Sequence, residues 1–297
     1  MPEFNLSDYI KSKRETLSPS SLKTYSSILS SLHRKVFKDK EIDPKDFDET
    51  DKILAFLKDV PANKRKSILA ALVVITNDKK YRDVMLGDIQ TYTHDIEKQE
   101  KSPEQEKSWV NSSDIKTVWE ELKGNADLLY KKKDLKNGDL QQIQNFIIIS
   151  LLGGIFIPPR RSLDYVCFKV KDVKQDEDNY LDKSTLVFNK YKTAKCYGQQ
   201  KVAIPIQLKN ILNKWIKASG NEYLLFDTNG SPLTSVKLNQ RMVKIFDGKK
   251  AGVNIMRHSY LSEKFQDTIK KNQEMSDVAS QMGTSKDMVV HNYIKKE

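Results

Sequence analysis

The segment of residues 184–206, STLVFNKYKTAKCYGQQKVAIPI, decides the fold class, because it is the part of the chain that has the pattern of β-structure. Two runs, 184–191 and 201–206, are rich in β-branched and aromatic residues, and turn residues that include Gly198 separate them. The pattern predicts a pair of antiparallel strands. The other periodic segments are helical, so the predicted fold is mainly α with a small antiparallel β-sheet.

The region before residue 98 has apolar residues at helical spacing and is predicted to be all helical. Ser7 and Ser18 are the expected N-caps of the first two helices, because a serine hydroxyl accepts a hydrogen bond from a free N–H of the first turn. Three further helices are predicted at 52–59, 63–76 and 81–98. In the second of these, the expected core residues are Ile68, Leu69, Leu72, Val73 and Ile75.

The region after residue 108 mixes helices with the strands. A helix capped by Ser112 or Ser113 is expected to run to residue 122, another covers 140–152, and Pro158-Pro159 is expected to restart a helix at Arg160. Downstream of the strands, the pattern predicts helices at residues 207–218, 235–246, 256–268, 276–282 and 286–295.

The chain length of 297 residues predicts two domains. Residues 99–107 contain charged and polar side chains, with Pro103 as the one exception, and are predicted to be a linker. The expected organisation is a helical domain at 1–98 and a mixed α and β domain at 108–297.

The charge balance favours a polyanionic partner. The 51 Lys and Arg residues exceed the 40 Asp and Glu residues and give a formal net charge of +11, which points first to nucleic acid and only second to anionic membrane. The longest apolar run, 68–75, is far shorter than the roughly 18 residues that span a bilayer.

The start of the chain, residues 1–4, lacks the basic and apolar regions of a signal peptide, so an intracellular protein is expected, in the compartment that holds its target DNA. The two cysteines, Cys167 and Cys196, are expected to be free thiols. The four histidines and the cysteines lack metal-ligand spacing, and neither a metal nor another cofactor is expected.

Two short segments carry candidate phosphate-binding cations. Arg161 follows the Pro-Pro helix start, where a helix N-terminus beside a cation binds phosphate well, and Asp164 at i+3 can hold the arginine by a charged hydrogen bond. Lys192 lies in the turn between the strands, with Lys190 and Lys195 beside it as alternatives. A surface salt bridge and a solvated turn are the plain alternatives at the two places.

The order of five motifs resembles that of the tyrosine recombinases, the lambda-integrase and Cre/Xer group. That family has Arg-x-x-Glu/Asp, a lysine in a β-hairpin turn, His-x-x-Arg-His, Gly-His/Trp and a tyrosine about nine residues later. Tyr293 lies nine residues after Thr284. The corresponding residues here are Arg161 with Asp164, Lys192, Asn254 to Arg257 with His258, Gly283-Thr284, and Tyr293.

The resemblance implies an enzyme that cuts and rejoins DNA without metal or ATP. Tyr293 would attack a phosphorus and form a 3′-phosphotyrosyl link, which conserves the phosphodiester energy for rejoining. Arg161 and Arg257 would clamp the charge that builds on the phosphate, and Lys192 would protonate the leaving 5′-oxygen. His258 would either assist the phosphate network or pack behind Arg257.

Two departures weaken the match. Asn254 stands where the family usually has histidine, and Thr284 where it usually has histidine or tryptophan. Asparagine can donate a hydrogen bond to phosphate but cannot exchange a proton near neutral pH. Reduced or specialised activity is therefore expected, and two alternatives stay open: a catalytically silent DNA-binding relative, and a type IB topoisomerase that relaxes supercoils.

The helical first part resembles the family's core-binding domain, which implies that both domains close on duplex DNA and that subunits assemble as a tetramer on it. Lys23, Lys64 and Arg65 are the candidate phosphate contacts there. Four residues follow Tyr293, so the family's further subunit-docking helix is not expected and assembly would use another element.

Overall fold

The chain divides into two units, Met1–Lys101 and Ser102–Glu297, each with its own hydrophobic core. This computed structural model describes residues 4–38 and 40–295. Residues 1–3, 39, 296 and 297 lie outside the described residues. They include most of the segment that was tested for a signal peptide and the last two of the four residues after Tyr293. The division falls inside the segment predicted as a linker.

The first unit is entirely helical among its described residues. All five α-helices and a 3₁₀ turn contribute buried apolar side chains to its core, among them Leu29, Leu69, Leu72 and Tyr81. The predicted core positions Ile68 and Val73 are partly buried against it. The helices are α1 (Leu6–Lys13), α2 (Pro19–Phe37), α3 (Thr50–Leu57), α4 (Ala62–Thr76) and α5 (Lys79–Glu97), with a 3₁₀ turn at Pro44–Asp48.

Side-chain caps explain where these helices begin. Asn5, and not the predicted Ser7, caps α1, because its Oδ1 accepts hydrogen bonds from the backbone N–H groups of Ser7 and Asp8. Ser18 caps α2 as predicted, accepting from Ser21 N at 3.1 Å. Pro19 follows at the first helical position, where its missing N–H is not needed.

Buried polar contacts join the elements of the first unit. The Asp46 carboxylate accepts hydrogen bonds from His33 Nε2 on α2, at 2.8 Å, and from Lys40. Burial raises the pKa of Asp46, but the hydrogen bonds from Lys40 and His33 outweigh this effect and hold the pKa below its usual value. The ionised carboxylate therefore ties the 3₁₀ turn to α2.

The second unit packs its helices and a small sheet around α8, whose residues 146–152 are all buried. Trp215, Phe168 and Phe188 fill the core beside it. The helices are α6 (Pro103–Ser108), α7 (Ser112–Leu129), α8 (Asn137–Leu152), α9 (Ser162–Tyr165), α10 (Ala194–Tyr197), α11 (Ile206–Ser219), α12 (Ser235–Ile245), α13 (Val253–Lys264), α14 (Gln266–Gln281) and α15 (Lys286–Met288), and a π-helical turn covers Val289–Tyr293.

The sheet has three antiparallel strands in the order β1-β2-β3. They are β1 (Tyr180–Asp182), β2 (Thr185–Phe188) and β3 (Gln200–Ala203), with Leu186 opposite Val202 across the predicted pair. The structure thus confirms the predicted fold class. Strand β1 was not predicted, and the connection between β2 and β3 contains the helical turn α10 in place of a tight turn.

Three helical segments differ from the prediction for local reasons. The predicted linker includes α6, because Ser102 and Gln105 form a reciprocal capping box around Pro103. The helix expected at Arg160 is the single turn α9, which begins at Ser162 and is followed by Cys167 at a φ of 61°. The last predicted helix, 286–295, is α-helical for three residues only.

The connection from α8 to α9 requires glycine. Gly154 has a φ of +76°, and a Cβ there would lie 2.6 Å from Cδ2 of Tyr260 on α13. The connection therefore passes directly against α13 before it reaches Arg160 and Arg161 at the start of α9.

Among the described residues, no helix is both long and apolar enough to cross a membrane.

Candidate active site

Two successive arginines at the start of α9 have opposite surroundings. Arg160 is mostly buried, whereas Arg161 is the exposed N-cap residue of the helix. Within the described residues, the Arg161 guanidinium has no hydrogen-bond or ion-pair partner. The exposed guanidinium is thus the one available to an external ligand.

Asp164 pairs with Arg160 and not, as predicted, with Arg161. Arg160 Nε donates to Asp164 Oδ2 at 2.8 Å, and Arg160 Nη2 donates to Gln200 Oε1 on β3 at 2.9 Å. The guanidinium also lies 4.0 Å above the ring centroid of Phe188 on β2. Arg160 precedes the N-cap residue Arg161, so it reaches Asp164 from outside the helix, four residues along the chain.

The Asp164 carboxylate lies in a strongly positive but poorly solvated place. Burial raises the pKa of Asp164, while the charges of Arg160, Arg161 and Arg257 act against this rise. Its Oδ1 is buried and has no partner among the described residues. Asp164 is therefore close enough to all three arginines to sense their charges, although only Arg160 bonds to it.

Arg257, on α13, comes next to Arg161 in space. Burial lowers the pKa of Arg257, and the positive charge of Arg161 lowers it further. The two guanidinium groups share a cleft of about 240 Å³. An oxyanion bound there would relieve their mutual repulsion and accept hydrogen bonds from both. The cleft is lined by Pro158, Pro159, Arg160, Arg161, Asp164, Tyr191, Thr193, Tyr197, Gln200 and Arg257.

Asn179 fixes the β2–β3 connection to α9. Its Oδ1 accepts from the backbone N–H groups of Asn189 and Lys190, at 2.8 and 2.7 Å. Its Nδ2 donates to the carbonyl oxygens of Asp164 and Lys190, at 2.8 and 2.7 Å. Because Asn179 is buried, these four bonds set the position of the connection relative to the arginine cleft.

The three lysines of this connection differ in their engagement. Lys192 is exposed between Tyr191 and Thr193, both of which line the cleft, although Lys192 itself does not. Lys195 is exposed on α10. Lys190 Nζ instead donates to Asp178 Oδ1 at 3.1 Å. Lys192 is therefore the lysine that combines an exposed side chain with neighbours on the cleft wall.

Asn254, His258 and Thr284 do not line the cleft. Asn254 and His258 are exposed on α13, which carries Arg257 between them. Thr284 follows Gly283 at the end of α14, where its backbone N–H donates to Ala279 O at 2.9 Å. Both predicted roles of the exposed His258, in the phosphate network or packed behind Arg257, stay predictions.

Tyr293 ends the π-helical turn, and its side chain is 60% exposed. Within residues 4–38 and 40–295, its hydroxyl has no hydrogen-bond partner, and it does not line the arginine cleft. Val289, at the start of the same turn, is buried and anchors the segment. The structure thus brings together Arg161, Asp164 and Arg257 but not Tyr293.

The three candidate phosphate contacts of the first unit differ in whether the cation is paired with a carboxylate. Lys23 on α2 and Lys64 on α4 are exposed. Arg65 forms a bidentate pair with Asp88 on α5, at 2.8 and 2.6 Å, and also donates to Lys58 O. Arg65, which is predicted to contact DNA, uses its guanidinium in this structure to hold α4 and α5 together.

Arg160, Gln200 and the aromatic wall of Tyr191 and Tyr197 were not predicted from the sequence. The signal for Arg160 was its i+4 spacing to Asp164, which is as compatible with pairing as the i+3 spacing that was used. No comparable signal marks Gln200, because it contacts a residue 40 positions away in the chain.

Among the described residues, no cluster of three or more His, Cys, Asp and Glu side chains could hold a metal ion.

No family model matches the chain, and no curated protein matches it. Solved structures do match. One is the XerH site-specific recombinase bound to a palindromic difH substrate in a post-cleavage complex, at 14% identity and a TM-score of 0.46, covering 84% of this chain and 69% of that chain.

Two further structures each match over 88% of this chain and 84% of theirs. They are the XerA recombinase, at 14% identity and a TM-score of 0.36, and XerH bound to difH before cleavage, at 13% and 0.40. All three of these structures are described as Xer recombinases.

Proposed function

We propose that this protein is a site-specific DNA recombinase that cuts and rejoins strands through a 3′-phosphotyrosyl intermediate. The observation that carries the proposal is the cleft in which Arg161 and Arg257 lie close enough to lower the pKa of Arg257. Two guanidinium groups, one without a partner among the described residues, suit the two non-bridging oxygens of a phosphodiester.

Each proposed catalytic residue has one role. Tyr293, once deprotonated, attacks the phosphorus and forms the phosphotyrosyl bond, and the bond from phosphorus to the 5′-oxygen breaks. Lys192 gives the leaving 5′-oxygen its proton, and Arg161 and Arg257 stabilise the charge on the phosphate. Asn254 and Thr284 add hydrogen bonds to the phosphate, with Asp164 and His258 in support. Rejoining reverses these steps.

The proposal requires the segment of residues 285–293 to bring Tyr293 to the cleft when DNA is bound. Val289 contributes one buried side chain to this turn, and the turn ends at the exposed Tyr293. Few contacts would therefore break in such a movement. Duplex DNA is the proposed partner, contacted also by Lys23, Lys64, Lys190 and Lys195, and a tetramer on DNA is the proposed assembly.

Trapping the covalent intermediate tests the mechanism. The recognition site is first selected from random duplexes by binding to the whole protein, because every activity assay depends on it. A duplex that carries this site and a nick close to it is then incubated with the protein. After cleavage, the short fragment with the free 5′-hydroxyl diffuses away, so rejoining is prevented and the adduct accumulates. We expect a denaturation-resistant adduct with the wild type and with the exposed-tyrosine control Tyr92→Phe, and none with Tyr293→Phe.

The position of Tyr293 outside the cleft favours one second candidate, a DNA-binding relative without catalysis. Selective binding of a duplex, with no adduct from the wild type on the nicked form of the same site, would establish this alternative and end the proposal of an enzyme. Relaxation of a supercoiled plasmid that lacks the selected site would instead indicate a type IB topoisomerase.

A further inference from the structure

A second polar cavity lies in the same unit between α8, α12 and the turn of residues 227–233. Its volume is about 390 Å³, and it shares no lining residue with the arginine cleft. Two of its side chains present buried polar atoms that lack any partner among the described residues, namely Arg241 Nη1 and Asn145 Oδ1. Buried polar atoms are nearly always paired, so both atoms are candidates for hydrogen bonds to a small molecule in the cavity.

Hydrogen bonds from α8 hold the cavity wall in place. The fully buried Gln144 donates to Phe226 O at 2.9 Å and accepts from Phe226 N at 2.8 Å. Asn137 Nδ2 donates to Thr228 O at 2.6 Å. The wall is therefore formed before any ligand binds, and the two unpaired atoms are not the result of a loose turn.

The charges around the cavity do not balance. Asp227 is the one carboxylate among the lining residues, against Lys237, Arg241 and Lys244, so their sum is −1 + 3 = +2. Asp227 is already committed, because it accepts from Lys237 Nζ at 2.8 Å and from the backbone of Asn229 and Ser231.

Within the part of the chain that the structure describes, the Arg241 guanidinium bonds to the neutral Gln141 side chain alone. Burial lowers the pKa of Arg241 because it disfavours the cation, and the charge of Asp227 only acts against this effect. A water molecule could bond to both unpaired atoms, but it would leave the excess positive charge in place. An anion satisfies the charge and the donor together.

Asn145 restricts the anion further. Its Oδ1 is an acceptor, so the ligand must also carry a hydrogen that it can donate. Hydrogen phosphate, or a phosphate monoester in its singly protonated form, has both acceptor oxygens and a hydroxyl, whereas sulfate and a DNA phosphodiester have acceptors alone. We propose that this cavity binds a small ligand with a protonated phosphate group, between Arg241 and Asn145, independently of the recombinase site.

Calorimetric titration of the whole protein with inorganic phosphate tests the proposal. We expect saturable binding by the wild type, and binding of sulfate and of dimethyl phosphate weaker by about tenfold or more, since each lacks one hydrogen bond to a buried group. Arg241→Met, which keeps the packing of the stem but removes the charge, should weaken phosphate binding by about tenfold or more.

A second variant keeps the test decisive if Arg241→Met does not fold. Lys244→Gln, at an exposed residue of the cavity mouth, should weaken phosphate binding several-fold, whereas Lys249→Gln, exposed outside the cavity, should not change it. The proposal is overturned if the wild type binds no phosphate, if sulfate or dimethyl phosphate binds as tightly, or if both cavity variants bind like the wild type. Trapping of the Tyr293 adduct is a separate readout, so neither result decides the other.

Discussion

At the scale of the residue, Arg160 and Arg161 show how neighbouring identical side chains acquire different tasks. Arg160 is used internally, by Asp164, Gln200 and the Phe188 ring. Arg161 faces outward without a partner among the described residues. A positive charge that is already neutralised and desolvated stabilises the fold, while one that is not remains free for a substrate.

Exchanging each arginine for methionine should separate these tasks. Arg160→Met leaves the buried Asp164 carboxylate unpaired, and we expect a loss of about 3–5 kcal/mol in the free energy of unfolding. Arg161→Met should change it by about 0.5 kcal/mol or less, because the side chain is exposed. Urea unfolding followed by tryptophan fluorescence measures this, since Trp109, Trp119 and Trp215 all lie in the second unit.

The comparison has a clear contrary outcome. Equal losses of stability in the two variants would show that Asp164 shares its charge with both arginines, and that the pairing with Arg160 alone is wrong.

The variant with the smaller effect on stability should have the larger effect on activity. Arg161→Met should reduce formation of the covalent adduct about a hundredfold or more, the usual effect of losing one preorganised donor to a transition state.

At the scale of the element, the end of α14 determines how the chain enters the Tyr293 segment. Gly283 has a φ of +67°, and the N–H groups of Gly283 and Thr284 donate to Ser280 O and Ala279 O. This is the Schellman arrangement, in which a left-handed residue closes the last helical turn. A side chain at this position is strained even though no atom lies within 4 Å of its Cβ.

Two glycine-to-alanine changes should therefore have opposite signs. Gly283→Ala should destabilise the second unit by about 1 kcal/mol, because alanine avoids the left-handed region. Gly124→Ala, inside α7 with equally open space around its Cβ, should stabilise it by about 0.5–1 kcal/mol, since alanine restricts the unfolded chain. The urea midpoint measures both changes, and a destabilising Gly124→Ala would contradict the backbone argument.

Elements with a strong local signal could be predicted from the sequence. Ser18, Pro19 and the apolar face after them specify α2, and the prediction was right. Strand β1 has three residues and exists because Tyr180 pairs with Val187, a contact that no local pattern reveals. For the same reason, the order and spacing of the motifs singled out Arg161, Asp164 and Arg257, but not the partner of Asp164 or the exposed position of Tyr293, which depend on tertiary packing.

At the scale of the whole molecule, the net charge is +11, but many of the Lys and Arg side chains form ion pairs within the protein. The cations that matter for DNA binding are those without such a partner. Lys123, for example, is neutralised by Asp127 at 2.7 Å, while Lys23 and Lys192 are exposed and have no partner among the described residues. Only cations of the second kind can replace counterions on the DNA backbone without first losing an internal bond.

The dependence of DNA binding on salt should therefore single out these lysines. Plotted as the logarithm of the association constant against that of the salt concentration, the slope for the selected duplex should become shallower by about 0.9 for each of Lys23→Gln and Lys192→Gln, because each removes one phosphate contact. Lys123→Gln should leave it unchanged, since its charge is already paired. Fluorescence anisotropy over a series of salt concentrations gives the slopes. A shallower slope for Lys123→Gln, or none for the other two, would mean that general surface charge, and not these contacts, holds the DNA.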